Sequence, residues 1–451
     1  MRLYLYHMLG CVFIEMEWMP IKKGVFMTDL YISVGIDVGA DFSFMSIALP
    51  NQTFVGKPFK ITHSNLDSVE TAVKKIKEAE ESNSLKARIF LESTGIYHYP
   101  LFCYLCDKRF DVSIINPIIT NNSTNLNIRK VHNDKFDSKK LALIALKPDL
   151  KTSVIPSDFV LNIRNLVREY YRFTNQRSAY VNKLTALLKV SFPEYLGIFS
   201  KITVNTSLAL LDKYPSPDSV LNAKKSNIMG LIKKTARFGT AYADQKYEML
   251  ISAAKKAKSF GHSLPSDAEL IKLYISMIRN FDNAAQQLIC SVKSIVESYP
   301  DELFCKQIRL LETIKGCGFL SAVTLMCEIG NFSVFSAPKK LYAYLGLDPS
   351  VKQSGKFNGT NVKLSKRGSR LARRVLHMMA INSIGFTKGG KSKNPILRDF
   401  YDKKCLSKPK MIALSAVMHK LCNIIFAVLR DNKPFEFISP EQHNLAYRNV
   451  S

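Results

Sequence analysis

The sequence predicts an α/β domain followed by a long, mostly helical chain. Three observations carry that prediction. Apolar β-rich runs alternate with helix-period segments up to about residue 150, glycines thin out and apolar residues fall at helical spacing from 155 to about 305, and further helical segments flank a basic polar loop after Pro300. At 451 residues the chain exceeds the length over which one core keeps growing, so two or three domains are expected. With 47% hydrophobic and 22% charged residues, the composition excludes the disordered and membrane-embedded classes.

Residues 31–50, YISVGIDVGADFSFMSIALP, read as two strands split by a turn signal at 39–41. A third strand fits TFVGKPFKITH (53–63). Leu66, Val69, Val73 and Ile76 then mark a helix over 66–81. ARIFLES (87–93) reads as a buried strand, 97–108 as a helix, FDVSIINP (110–117) as a strand and 134–147 as a helix. The order β-β-β-α-β-α-β-α is that of the ribonuclease H-like fold.

In the middle region 157–190 and 266–298 are the longest helical stretches, and Pro193, Pro215, Pro217, Gly261 and Pro265 divide the rest. Several long helices are expected, with one antiparallel coiled-coil pair. Beyond Pro300, helical segments are expected around 310–329, 337–345, 370–384 and 410–429, with a polar loop over 348–365. The expected division is an N-terminal extension at 1–28, an α/β domain at 29–150, a helical linker and dimerisation region at 151–305, a C-terminal domain at 306–435 and a tail at 436–451. Met27 opens the compact MTDLYISVGIDVG, which marks the preceding residues as an upstream start or a dispensable extension.

The 64 Lys and Arg against 37 Asp and Glu leave a net charge of +27, which favours a polyanion, nucleic acid first. Residues 307–431 alone hold 22 basic and 6 acidic side chains. Nine cysteines are scattered, and Cys103 and Cys106 form the C-x-x-C spacing; no second pair completes a zinc site, so the thiols read as reduced and this pair as buried packing. Glu15 and Glu17 interrupt the apolar N-terminal stretch, so neither a signal peptide nor a membrane span is expected, and the location is read as cytoplasmic.

Four carboxylates stand out by position. Asp37 lies on the first strand, Glu92 ends the fourth, and Asp134 and Asp137 open the last helix of the domain, where i, i+3 spacing puts both on one face. Taken singly, Asp134 reads as a helix cap, Asp37 as a turn former and Glu92 as a strand-end charge. Together they make an oxygen-only set suited to Mg²⁺ or Mn²⁺, and two such ions can clamp the attacking and leaving oxygens of a phosphodiester.

In IKGCGFLSAVTLMCEIG, Gly316 and Gly318 form a Gly-x-Gly turn before a helix. That is the shape of a helix-hairpin-helix, which offers backbone N–H groups to phosphate, and equally that of an ordinary turn. The segment 351–374 has eight basic residues and no acid, namely Lys352, Lys356, Lys363, Lys366, Arg367, Arg370, Arg373 and Arg374. It is expected to lie on phosphate. Ser354 sits in it between two lysines, a setting that could expose a hydroxyl to a backbone phosphate, but no general base is evident, and on the residues alone it reads as a loop serine more readily than as a nucleophile.

The motifs GIDVGA, LESTGIYHYPL, NDKFDSKKLALIAL, IKGCGFLSAVTLMCEIG and AYLGLDPSVKQSGKFNG with LSKRGSRLARR, in this order, resemble the DEDD-type insertion-sequence transposases, the one-ten family, relatives of the Piv DNA invertases. The resemblance covers about 31–150 and 307–431. It implies a RuvC-like N-terminal domain whose D, E, D, D set falls on Asp37, Glu92, Asp134 and Asp137, and a C-terminal transposase domain whose nucleophilic serine matches Ser354. It further implies Mg²⁺ or Mn²⁺, donor and target DNA, and a non-coding bridge RNA from the element. A phosphoserine link would form on Ser354 with carboxylates assisting from a neighbouring subunit, in a dimer or a synaptic tetramer. No matching motif covers the middle region, where 166–188 interleaves basic residues and tyrosines and reads either as a nucleic-acid contact helix or as a helix with a buried stripe. Two alternatives stand beside the transposase: a RuvC-like structure-specific nuclease using metal-activated water, and a non-catalytic nucleic-acid-binding relative.

Overall fold

The computed structural model describes residues 30–92, 97–115, 120, 133–147, 156–236, 238–349 and 364–437, together with the backbone of 353–354 and 357–358. The expected N-terminal extension and nearly all of the expected tail lie outside the described residues. Two compact units divide at Ile155 and Pro156.

In the first unit, strands β1 (Ile32–Val38), β2 (Phe42–Ala48), β3 (Phe59–Thr62), β4 (Ala87–Glu92) and β5 (Asp111–Ile115) form one sheet in the order β3-β2-β1-β4-β5. The first three pair antiparallel, while β1 with β4 and β4 with β5 are parallel. Alternation assigns the faces. Ile32, Val34, Ile36 and Val38 point into a core shared with helices α1 (Leu66–Asn83) and α2 (His98–Asp107), leaving Ser33, Gly35 and Asp37 for the opposite face. Asn65 caps α1 by accepting from the Asp67 and Ser68 amides, and Val69, Ala72, Val73, Ile76 and Ala79 form its buried stripe.

The opposite face carries α3 (Asp134–Ala145), seated at backbone contact. A Cβ on Gly35 would stand 2.3 Å from the Ala142 amide nitrogen, so glycine is what lets helix and strand meet. Ser33 donates to the Ala142 carbonyl (2.7 Å), Ser46 bonds Ser138 (2.8 Å) and Tyr31 donates to the Ala145 carbonyl (2.6 Å).

The third strand is interrupted rather than continuous: Phe59–Thr62 pairs with β2 and Phe54 forms a separate bridge to Ala48, because between them Gly56 takes a left-handed φ of 72° and Pro58 lacks a ladder donor. The Cys103 and Cys106 pair is not buried packing. The buried face of α2 is Leu101 and Leu105, which leaves Cys103 half-buried and Cys106 exposed.

The second unit holds two separate hydrophobic cores along one antiparallel helix pair, α4 (Asp158–Ser191) and a later partner. A 3-10 turn (Pro193–Gly197) and helices α5 (Asn205–Lys213), α6 (Pro217–Leu221), α7 (Lys225–Ala236) and α8 (Thr240–Phe260) follow α4, and α9 (Pro265–Ser298) is that partner. Leu184, Leu188, Ile271, Ile275 and Ile278 join α5–α8 in one core. The other core takes Val160, Ile163, Val167, Tyr171, Val292 and Val296 from the far ends of the same pair. It continues into α10 (Leu303–Glu312), α11 (Phe319–Ile329), α12 (Pro338–Tyr344), α13 (Arg370–Ile384), α14 (Pro395–Cys405) and α15 (Lys410–Asp431).

Between the cores, residues 172–183 of α4 include none that is buried. Aromatic contacts Phe173–Phe281, Tyr180–Phe281 and Tyr180–Tyr274, with ring centroids 5.8–5.9 Å apart, and the Arg177–Asp282 ion pair hold the helices there. α15 is the described helix long and apolar enough to cross a membrane. Here it is a core helix, burying ten residues against its neighbours. The segment read as a polar loop over 348–365 contains two short strands, β6 (Gln353–Ser354) and β7 (Phe357–Asn358), paired antiparallel.

Candidate active site

Three elements of the first unit converge on one end of the sheet. The parallel register pairs Ile36 with Leu91, so one further residue brings Asp37 level with Glu92, both on the face that α3 covers. α3 runs antiparallel to β1, from Ser138 beside Gly35 and Ser46 to Ala145 beside Tyr31, so its first turn overlies the end of β1 where Asp37 stands. Asn133 caps this helix by accepting from the Lys135 amide, which leaves Asp134 as the first helical residue rather than the cap.

The electrostatics follow from this convergence. Burial, then Glu92, Asp137 and Asp134 in that order, push the Asp37 carboxyl up to about 7. Glu92 is also raised, chiefly by burial, against the opposing effects of a Thr120 hydroxyl bond and Lys140. The four carboxylates thus lie within electrostatic reach, although among the described residues no three His, Cys, Asp or Glu side chains close to the spacing of a metal-ligand group. Hard oxygen donors gathered close enough to raise the proton affinity of Asp37 and Glu92 fit a divalent cation, whose charge relieves that repulsion.

Ser354 belongs to the second unit, in backbone register with Phe357 at the tip of the β6–β7 hairpin. The foot of this hairpin is well fastened. Pro349 bridges Leu364, the Ser365 amide and hydroxyl both donate to Asp348, and the Lys366 amide donates to the Gly346 carbonyl (3.1 Å). Lys352, Lys356 and Lys363 fall outside the described residues.

Two family models match the chain: a transposase model of the DEDD, IS110 type over residues 34–193, and the transposase IS116/IS110/IS902 family over 308–402. The chain belongs to the IS110 transposase family. Its sequence is 28% identical over 174 residues to the pilin gene-inverting proteins of Moraxella lacunata and Moraxella bovis, covering 37% of this chain and 52% of each relative. It thus spans about half the length of these relatives. An insertion element IS110 uncharacterized 43.6 kDa protein of Streptomyces coelicolor is 23% identical over 324 residues, 69% of this chain and 75% of that protein.

In this IS110-family chain the basic residues singled out by sequence divide into two kinds. Lys366, Arg367, Arg370 and Arg374 are exposed at the start of α13, although Arg374 also donates to Asn175 (2.9 Å) and lies over the Tyr171 ring. Arg373 is directed inward and donates to the Leu345 and Gly368 carbonyls. Gly316, at φ 101°, lets the turn between α10 and α11 meet α13, where a Cβ would stand 2.4 Å from the Ser383 hydroxyl; Gly318 precedes α11 with open space around it.

Of the 166–188 segment, Arg168 grips Glu328 with two bonds of 2.9 and 3.0 Å, while Arg172 pairs with Glu169 and Arg177 with Asp282. Sequence reasoning passed over Glu328. Burial raises its carboxyl, but the Arg168 bonds and charge, with a Ser369 hydroxyl bond and Arg164, outweigh this and hold it below the usual range. Since Ser369 caps α13, Glu328 ties α4 and α11 to the start of that helix. A lone acid in a long apolar run, LMCEIG, was the available signal.

Proposed function

We propose that this protein is an insertion-sequence recombinase that cuts and rejoins DNA through Ser354, assisted by a divalent cation on Asp37, Glu92, Asp134 and Asp137. The observation that carries this reading is the convergence of four carboxylates at one sheet end in a chain whose C-terminal half matches the same family. Strand order β3-β2-β1-β4-β5, with the first three antiparallel, supports an RNase H-like reading of the first unit. The helix–turn–helix α10–α11 with its Gly316 and Gly318 turn supports a helix-hairpin-helix phosphate contact. The carboxylates would hold Mg²⁺ or Mn²⁺, which when bound lowers the cost of charge on the phosphodiester and its leaving oxygen.

The protein's own share is nucleophilic. The Ser354 oxygen bonds to phosphorus as its proton leaves, the P–O bond to one deoxyribose breaks, and the freed sugar oxygen takes a proton. A second sugar hydroxyl reverses the step on the phosphoserine, so the bond count is unchanged and no external energy source is needed. The basic residues at the start of α13 offer contacts to DNA backbone, and to a bridge RNA of the element where one pairs donor with target. Two or four copies would assemble around the two duplexes.

In a cleavage assay on element-end DNA, Asp37→Asn is expected to remove cutting by a factor on the order of 100 or more while leaving DNA affinity within about threefold. Cutting at wild-type rate by that variant overturns the carboxylate assignment.

A further inference from the structure

The chain between α13 and α14, residues 385–394, reads GFTKGGKSKN, with three lysines, three glycines and no acid. Its backbone closes on itself. Phe386 bridges Ser392, the Thr387 amide donates to the Lys391 carbonyl (2.8 Å), the Gly390 amide to Thr387 (3.0 Å) and the Lys393 amide to Gly385 (3.0 Å). The Arg398 guanidinium, from the first turns of α14, lies 4.8 Å over the exposed Phe386 ring and donates to the Ile384 carbonyl (3.3 Å), fastening the loop to the helix. Lys388, Lys391 and Lys393 are exposed and without an ion-pair partner among the described residues.

The loop delivers the chain to the N-terminus of the eleven-residue α14. Asn394 caps it, its Oδ1 accepting from the Leu397 amide (3.0 Å). Nδ2 shares a carbon with that oxygen and therefore stands at the same helix mouth. It has no hydrogen-bond partner although Asn394 is only 1% exposed, and the buried Ser392 hydroxyl two residues earlier has none either. Two donors without a partner beside a helix N-terminus, in a loop that carries three exposed lysines, is a combination that an anion satisfies and a purely structural turn does not need.

We propose that residues 385–394 form a phosphate-binding site for nucleic-acid backbone, with Lys388, Lys391 and Lys393 supplying charge and the Asn394 and Ser392 side chains supplying further donors. The site rests on the reading that nucleic acid is the partner, and it is separate from Ser354 and from the basic segment 351–374. Lysine ammonium groups beside amide and hydroxyl donors suit phosphate oxygens, so the site would hold backbone rather than read bases.

The test uses the full-length protein with a labelled 30-base-pair DNA duplex and, in parallel, a labelled RNA single strand, each titrated between 50 and 300 mM KCl. The triple variant Lys388→Gln, Lys391→Gln, Lys393→Gln is expected to flatten the log–log salt slope by about 2 to 3 on a duplex, or by about 2 on a single strand. The nucleic acid on which the slope falls is the one the loop holds. Asn394→Ser keeps a capping acceptor and removes Nδ2. It is expected to weaken binding about tenfold with its melting temperature within a few degrees of wild type. A triple variant with an unchanged slope on both probes overturns the site and leaves the proposed function standing, whereas a wild-type chain that binds neither probe overturns both.

Discussion

At the scale of single residues, Asp37 shows how position outweighs residue type. Its carboxyl shares a sheet end with three others and is pushed up to about 7 from an ordinary 3.8. A raised acid costs folded stability only when charged, so the cost is absent below about pH 4, grows as pH rises and is complete above 7. Asp37→Asn in EDTA is therefore expected to be more stable than wild type by about 1–2 kcal/mol at pH 8, a figure discounted for partial exposure, with the difference shrinking by pH 5. Urea unfolding at both pH values checks this, and a variant less stable than wild type at pH 8 contradicts it. The identities of these carboxylates were legible in the sequence because each lies at the end of a readable strand or helix. The inward direction of Arg373 and the buried grip of Arg168 on Glu328 were not, because both depend on partners far away in the chain.

At the scale of elements, the first unit is built around one close approach. α3 reaches β1 only because Gly35 and the serines at 33, 46 and 138 leave room, and that approach sets where Asp134 and Asp137 stand. Gly35→Ala is expected to destabilise by about 1–3 kcal/mol and to lower cleavage more than DNA binding, as it pushes α3 off the sheet. Chemical denaturation beside a cleavage assay reads both effects, and an unperturbed variant contradicts the packing account. Helices with clean apolar stripes, such as α1 and α13, were readable to within a residue or two. α14 was not foreseen, since Leu397 is its sole buried residue and its surface carries no stripe. The β6–β7 hairpin was missed because its strands are two residues each in a polar, glycine-containing stretch with no alternation to detect.

At the scale of the whole molecule, the second unit divides its hydrophobic residues between two cores strung on one helix pair. Local apolar spacing predicts long helices but not which distant helices share a core, so this division was beyond sequence reading. The stretch 172–183 of α4, held by aromatic edges and an ion pair, is expected to exchange its amide hydrogens at least about tenfold faster than 160–171 or 184–191. Uniform protection along α4 contradicts the two-core account. A helix weak in its middle is suited to bending.

The central claim is that Ser354 forms the covalent link to DNA, and a denaturing gel addresses it most directly. Purified protein, donor and target DNA, the element's RNA and Mg²⁺ are combined, with Ser354→Ala alongside. Wild type is expected to give a protein–DNA adduct that disappears in Ser354→Ala. Cleavage without any adduct, unaffected by the substitution, contradicts that claim and assigns the cutting to metal-activated water in the first unit.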